Sequence, residues 1–193
     1  MKDDIAEFKK ELVLKAACAL FFERGYAGAT TDALSERLSV SKTAIYAHFR
    51  SKAEILAAIC ERGVRLALDL AERVAVGPGD PAEKLTALAH DFTLIVIANR
   101  DFLGVSSRER SALPAESLQR IIAMQERFDH LLGGIIAEGA ASGAFKAPDP
   151  GLAALAIAGM IIWTYSWYRA DGRLAPLEIA ERMAETALRM VGA

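Results

Sequence analysis

The chain has 193 residues, a length that predicts one domain or two small ones that share a core. Hydrophobic residues make up 53% and charged residues 25%, which excludes an intrinsically disordered chain. Lys and Arg total 23 against 25 Asp and Glu, a net charge of −2, so a nucleic-acid-binding surface would have to be a local basic patch.

The cysteines and the first residues limit the class of protein further. Cys18 and Cys60 have neither CxxC nor Cys/His spacing, which argues against a disulfide scaffold or a zinc module, and we expect no cofactor and no metal. The segment MKDDIAEFKKEL is charged and lacks the apolar core of a secretory signal. We therefore expect a cytoplasmic protein with no membrane partner.

The hydrophobic pattern predicts an all-α fold of about nine helices. The first helix carries an apolar stripe and ends near Gly25, and short helices follow over about 32–38 and 42–48. Later helices are predicted over 114–141, over 150–170 after a turn at Gly143, and from Pro176 onward. The residues of the first stripe, all expected to face the core, are Ile5, Phe8, Leu12, Ala16 and Leu20.

Two capping signals predict where the helices in the middle of the chain begin. Ser51 with Glu54 forms a predicted capping box that opens a long helix to about Val76. Asp80, with proline next to it, starts another helix that runs to about Arg100. From the change in helix length we place one domain at 1–50 and a second at 51–193.

The run from Pro150 to Tyr168 contains no charged residue and nearly reaches the length that crosses a bilayer. A transmembrane span is one interpretation. A helix that protein covers on all sides is the simpler one, and in a chain this short a partner subunit would have to supply the cover. Small residues in this helix and the last one favour a two-fold helical contact, so we expect a homodimer.

The stretch from Thr30 to Phe49 has the layout of a helix-turn-helix, with two short helices about a four-residue turn. Four basic residues and no acidic one lie between Arg37 and Lys52, which predicts a local positive patch that could bind DNA phosphates. The residues expected to face inward are Ala33, Leu34, Leu38, Val40, Ile45 and Phe49, and those expected outward are Lys42, Thr43, Ala44, Tyr46 and His48.

The run ALFFERGYAGATTDALSERLSVSKTAIYAHFRSKAEIL closely resembles the N-terminal domain of TetR-family transcriptional regulators, over roughly residues 8–60. The resemblance implies phosphate contacts at the start of the second helix, a recognition helix from Ser41, and further backbone contacts after it. The implied DNA-binding residues are Thr30, Thr31, Ser41, Lys42, Thr43, Ala44, Tyr46, His48 and Lys52. Structural roles without DNA contact are the alternatives for Tyr46 and His48, and a solvated charge is the alternative for Lys52.

Two positions depart from the family pattern. Ser39 stands in the turn where the family usually has glycine, and we expect slight strain there because glycine alone adopts positive φ without cost. Thr43 replaces a common glycine and could read a base, so the operator sequence of relatives does not transfer.

Large apolar side chains on otherwise alanine-rich helices are the candidates for an effector site, although plain core packing is the alternative for each. They are Phe92, Ile95, Asn99, Met124, Phe128, Met160, Trp163 and Trp167. The second resemblance covers roughly residues 95–190 and rests on Asn99-Arg100, a glycine-containing segment through Gly139 and Gly143, and the run GMIIWTYSWYRADGRLAPLEIAERM. These residues resemble a TetR-family subgroup that represses fatty-acid and sterol breakdown, which implies an acyl-CoA effector. Its anionic head could meet Arg100, Arg108 or Arg169, and solvated charges are the alternative for these arginines.

These observations predict a dimeric regulator, expected to be a repressor, that binds a pseudo-palindromic double-stranded operator and is released by a hydrophobic small molecule. A DNA-binding dimer without an effector is the alternative. A helical enzyme is disfavoured, because the chain has no HExxH or GxSxG motif and no phosphate-binding glycine loop.

Overall fold

A computed structural model describes the backbone from residue 2 to 193 and the side chains from Ile5 onward. Within that part the chain is helical, with no strand, which confirms the all-α prediction. A 3-10 turn covers Arg110–Ala112. The α-helices are α1 (Lys2–Gly28), α2 (Thr31–Leu38), α3 (Lys42–Tyr46), α4 (Lys52–Val76), α5 (Pro81–Ala98), α6 (Arg100–Glu109), α7 (Ala115–Ser142), α8 (Pro150–Ile162), α9 (Thr164–Trp167) and α10 (Pro176–Met190).

The predicted helix ends rest on real capping contacts. Gly25 has φ +70° and interrupts α1 where the sequence predicted its end, although helical hydrogen bonding resumes as far as Gly28. Asp80 and Glu83 form a complete capping box at α5, with both backbone N–H groups satisfied. At α4 only half of the predicted box forms: Ser51 Oγ accepts from the Glu54 N–H, while the Glu54 carboxylate accepts from the Arg50 N–H.

Three details differ from the sequence prediction. Helix α6 was not predicted, because it follows α5 after a single residue and has only two buried side chains, Phe102 and Val105. The predicted helix over 150–170 is divided at Trp163 and ends at Trp167. Of the first apolar stripe only Leu20 is fully buried and Ala16 half-buried. Exposed instead are Ile5, Phe8 and Leu12.

The residues form two compact units. The first comprises residues 1–62 and 101–121, so it contains α1–α3, the start of α4 and most of α6. Its core holds Phe21 at the end of α1, Leu34 of α2 and Ile45 of α3, each at most 2% exposed. This unit carries the predicted helix-turn-helix. The domain boundary predicted at residue 50 stays a prediction.

The second unit comprises residues 63–100 and 122–193. Within it α5 packs along α10 and against α8, and its core includes Leu85, Leu88 and Ile157. The stretch Pro150–Trp167 is, among the described residues, the one helical segment long and apolar enough to cross a membrane, and 28% of it is buried. Its exposed apolar side chains include Leu152, Leu155 and Trp163, which leaves an uncovered apolar face on this unit.

Candidate functional site

The turn between α2 and α3 is held by a residue in the left-handed region. Ser39 has φ 54° and ψ 41°, and it is the only non-glycine residue with positive φ in the described chain. Its N–H donates to Glu36 O and the next N–H, of Val40, donates to Ser35 O, both at 3.1 Å. This is the hydrogen-bonding pattern of a helix terminated by an αL residue, usually glycine. Ser39 therefore adopts the positive-φ conformation on which the expected strain depends, and its energetic cost stays a prediction.

Side-chain caps and buried anchors fix the two short helices. Thr30 Oγ1 accepts from the Ala33 N–H at 3.1 Å, and Ser41 Oγ accepts from the Ala44 N–H at 3.2 Å. Ile45 and Phe49 are 0% and 2% exposed, as the pattern predicted. Val40 was predicted to face inward, but it is 42% exposed, because the αL turn at Ser39 carries it out of the core.

The outward face of α3 presents the predicted contact residues to solvent. Lys42, Thr43, Ala44 and Tyr46 are exposed, and His48 is half-buried. The Tyr46 hydroxyl lies 3.1 Å from Thr31 Oγ1, so one hydrogen bond joins the end of α3 to the start of α2. The structure thus brings hydroxyl, ammonium and phenol groups from both helices onto one surface of the first unit.

The basic patch is less positive than the sequence pattern indicated. Arg37 donates to both oxygens of the Glu23 carboxylate, at 3.0 and 2.6 Å, and Lys42 Nζ lies 2.5 Å from Asp32 Oδ1. The hydrogen bond from Arg37 holds the pKa of Glu23 below its usual value, and the bond to Asp32 raises the pKa of Lys42. Glu23 and Asp32 precede the segment from Arg37 to Lys52 in sequence, and the fold brings their carboxylates to two of the predicted cations.

Lys52 has an internal role that sequence reasoning missed. Its ammonium donates to the carbonyl oxygens of Tyr26 and Ala29, each at 2.8 Å, and lies 4.3 Å from the centre of the Tyr26 ring. Three interactions therefore tie the start of α4 to the end of α1. A simple solvated charge does not describe this lysine, whose phosphate contact stays a prediction.

Helix α6 is attached to α1 within the first unit. The Tyr26 N–H donates to Glu109 Oε1 at 3.1 Å, and Arg108 donates to Phe22 O at 3.2 Å while its guanidinium stacks 4.5 Å from the Phe22 ring. Arg108 was one candidate for an effector's anionic head, yet it is engaged here in the first unit. No local sequence signal predicted these contacts, which join residues more than eighty positions apart.

The predicted effector residues of the second unit divide into two groups. Phe92 and Phe128 are 5% and 4% exposed, and their ring centroids lie 4.8 Å apart, so these rings pack on each other. Asn99 is buried and its Nδ2 donates to Ile95 O at 2.8 Å. Half-buried in the same unit are Ile95, Met124 and Met160.

The two tryptophans lie elsewhere. Trp163 is 60% exposed and Trp167 42% exposed, so the second unit does not enclose either of them. Trp167 borders an open cleft of about 230 Å³ at the connection between α9 and α10. Thr164, between them in sequence, is fully buried, and among the described residues its hydroxyl finds no hydrogen-bond partner. The assignment of these residues to an effector site stays a prediction.

The chain matches known families over most of its length. Residues 13–59 match the model of bacterial regulatory proteins of the tetR family, and residues 78–191 match the tetracyclin repressor-like C-terminal domain. The tetracycline repressor protein class A from transposon 1721 of Escherichia coli is 32% identical over 110 residues, 57% of this chain and 50% of that one. The chain spans half or less of the length of the curated relatives that it matches.

Solved structures match nearly the whole chain. The TetR family transcriptional regulator PfmR from Thermus thermophilus is 29% identical with a TM-score of 0.83, over 92% of this chain and 97% of that one. A bacterial regulatory protein in the tetR family from Rhodococcus RHA1 is 28% identical with a TM-score of 0.85, over 96% and 97%.

Proposed function

Because this chain belongs to the TetR family of bacterial transcriptional regulators, we propose that it binds a pseudo-palindromic operator as a homodimer and leaves it when a hydrophobic small molecule binds. The family consists of regulators, not enzymes. The proposed place of action is the cytoplasm, where the operator DNA would lie.

The observation that carries the DNA-binding proposal is the exposed face of α3 held on a rigid base. Ile45 anchors the helix at 0% exposure while Lys42 and Thr43 point to solvent. A helix placed in this way can enter the major groove, where side chains of its first turn reach base edges. Base reading is assigned to Thr43 and Ala44. Backbone contacts are assigned to Thr30, Thr31, Ser41, Lys42, Tyr46, His48 and Lys52.

The uncovered apolar face of α8 supports the dimer. Leu152 and Leu155 are 64% and 56% exposed, and Trp163 extends the same apolar segment. Contiguous exposed apolar surface of this kind marks an interaction site, and a two-fold axis lets the same face cover itself. Such a dimer would present two recognition helices about 34 Å apart, one turn of DNA.

Helix α4 is the proposed route from effector to DNA, because its residues contribute to both units. The contacts of Glu109 and Arg108 with α1 offer a second route through α6. An effector acts only through a difference in its affinity for the DNA-bound and released states. An acyl-CoA thioester is the class we propose to test first.

A dimer without an effector is the second candidate, and the close packing of Phe92 on Phe128 favours it. A gel shift with DNA flanking this protein's own gene separates the two. Release by long-chain acyl-CoA, but not by free CoA, supports the sensor. If acyl-CoA leaves the DNA complex intact, that effector is rejected, while the proposal that the protein is a DNA-binding regulator stands. If the protein binds no candidate operator, the DNA-binding proposal is contradicted.

A further inference from the structure

The connection between α9 and α10 forms a small cleft whose chemistry differs from that of the buried core. Its walls combine aromatic, aliphatic and guanidinium groups, and its volume is about 230 Å³. We propose that this cleft binds a small aromatic carboxylate, with the ring against the apolar wall and the carboxylate on the arginines. The principal lining residues are Trp167, Tyr168, Arg169, Arg173, Leu174 and Ile179.

The apolar wall is fixed by the core of the second unit. Tyr168 and Ile179 are 9% and 4% exposed and form one buried cluster with Ile97, against which Leu174 packs. Trp167 stands at the margin with 42% of its surface exposed. A rigid apolar base with one exposed aromatic edge suits a flat ring, which would bury the remaining tryptophan surface.

The charged side of the cleft has a surplus of guanidinium groups. Arg169 donates to the carbonyl oxygens of Ser166 and Tyr168 at 3.5 and 3.3 Å, which are long contacts to neutral acceptors. In the part of the chain that the structure describes, neither Arg169 nor Arg173 forms an ion pair with a carboxylate. The exposed Asp171 is the one acidic residue of the intervening loop.

Arg100, the first residue of α6, lies near the aromatic side of the cleft. The Arg100 guanidinium carbon lies 5.9 Å from the centre of the Tyr168 ring. Arginine binds carboxylates through paired N–H groups and stacks on aromatic faces, so the carboxylate is assigned to Arg169 and Arg173 of the lining, while Arg100 packs beside the ring of Tyr168. Charge and ring recognition therefore meet at one place.

Gly172 fixes the turn that carries the two loop arginines. Its N–H donates to Arg169 O at 3.0 Å, and a Cβ at this position would lie 2.9 Å from the same oxygen. Backbone atoms cannot give way as a flexible side chain can, so only glycine fits without moving the turn. The spacing of Arg169 and Arg173 is thus set by the backbone.

The cleft has room for a small molecule. Its volume of about 230 Å³ accommodates a single-ring carboxylate. Binding here needs neither DNA nor the effector of the proposed function, so it can be tested independently.

Benzoate is the probe, and benzamide is the neutral probe of the same shape. The chain has two tryptophans, so ¹H–¹⁵N spectra of the intact protein contain two indole signals, and Trp167→Phe assigns them. We expect benzoate to shift the Trp167 signal to saturation and benzamide to bind at least tenfold more weakly. Arg173→Gln and Arg169→Gln should each weaken benzoate binding by about tenfold.

Arg182→Gln is the matched control, because Arg182 is an exposed arginine of α10 that pairs with Glu178 outside the cleft. It should leave benzoate binding unchanged. The proposal is overturned if benzoate and benzamide bind equally well, or if the Trp167 shift does not saturate. It is also overturned if the Arg173→Gln and Arg169→Gln variants keep the melting temperature of the wild type and bind benzoate as tightly as it does. Operator binding, measured separately by gel shift, reports on the proposed function alone.

Discussion

Lys42, on the proposed recognition helix, is paired with Asp32 at the start of α2, with 2.5 Å between Nζ and Oδ1. The lysine predicted to meet DNA thus has an internal carboxylate competing with phosphate. Asp32→Asn should raise affinity for non-specific DNA several-fold and steepen the slope of log K against log salt by up to about one unit.

Fluorescence anisotropy at several salt concentrations measures both quantities. Glu36→Gln removes the same charge from the same helix without touching the pair, and it should have the smaller effect. If the two variants behave alike, overall charge accounts for the change and the pair does not matter.

Ser39→Gly should stabilise the protein by about 0.5–1 kcal/mol, because glycine adopts the observed positive φ without steric cost. Urea denaturation measures the change. Ser39→Ala keeps a Cβ and removes only the hydroxyl, so it should stay close to wild type. A glycine variant no more stable than the alanine variant would show that the αL conformation at this turn costs nothing.

Tyr46→Phe removes the hydroxyl that bonds to Thr31 and that we assign to a phosphate. Because the ring is 44% exposed, we expect less than about 0.5 kcal/mol of lost stability but a roughly two- to tenfold loss of operator affinity. Tyr165→Phe, in the second unit, should change neither quantity. Unchanged operator affinity in Tyr46→Phe would assign the tyrosine to packing alone.

Lys52→Met should destabilise the first unit by about 1–3 kcal/mol, since two carbonyl oxygens lose a charged donor. Thermal and urea denaturation give the value. Lys15→Met, at an exposed lysine with a 3.5 Å surface pair, serves for comparison and should cost less than about 1 kcal/mol. An equally small loss at Lys52 would mean that its contacts do not hold α4 to α1.

The two thiols should be unreactive in the folded protein. Burial raises the pKa of Cys18 to about 12 and also raises the pKa of Cys60, so the thiolate that reacts is scarce. Ellman's reagent at pH 8 should label them only at the rate of unfolding. Above about pH 9 the folded form keeps the thiol proton of Cys18, which the unfolded form releases. The free energy of unfolding should therefore fall as the pH rises above about 9. Rapid labelling of native protein would contradict the buried positions.

The sequence predicted the helices where proline, glycine and capping residues mark their ends, as at Gly25, Asp80 and Pro176. It missed α6, whose two buried anchors, Phe102 and Val105, are too few to form an apolar stripe. At the candidate site the turn and the exposed face of α3 were predictable, because both follow from local pattern. The pairing of Arg37 with Glu23 and of Lys52 with Tyr26 was not, since these partners are brought together only by the packing of α1 against later helices.

A DNase I footprint over the DNA flanking this protein's own gene would show whether paired α3 helices read the operator. We expect two protected half-sites related by two-fold symmetry, with centres about 34 Å apart, and loss of both in a variant that carries Lys42→Ala and Thr43→Ala. Protection of a single tract without internal symmetry, or a footprint that this double variant leaves unchanged, would contradict the claim that paired α3 helices read the operator.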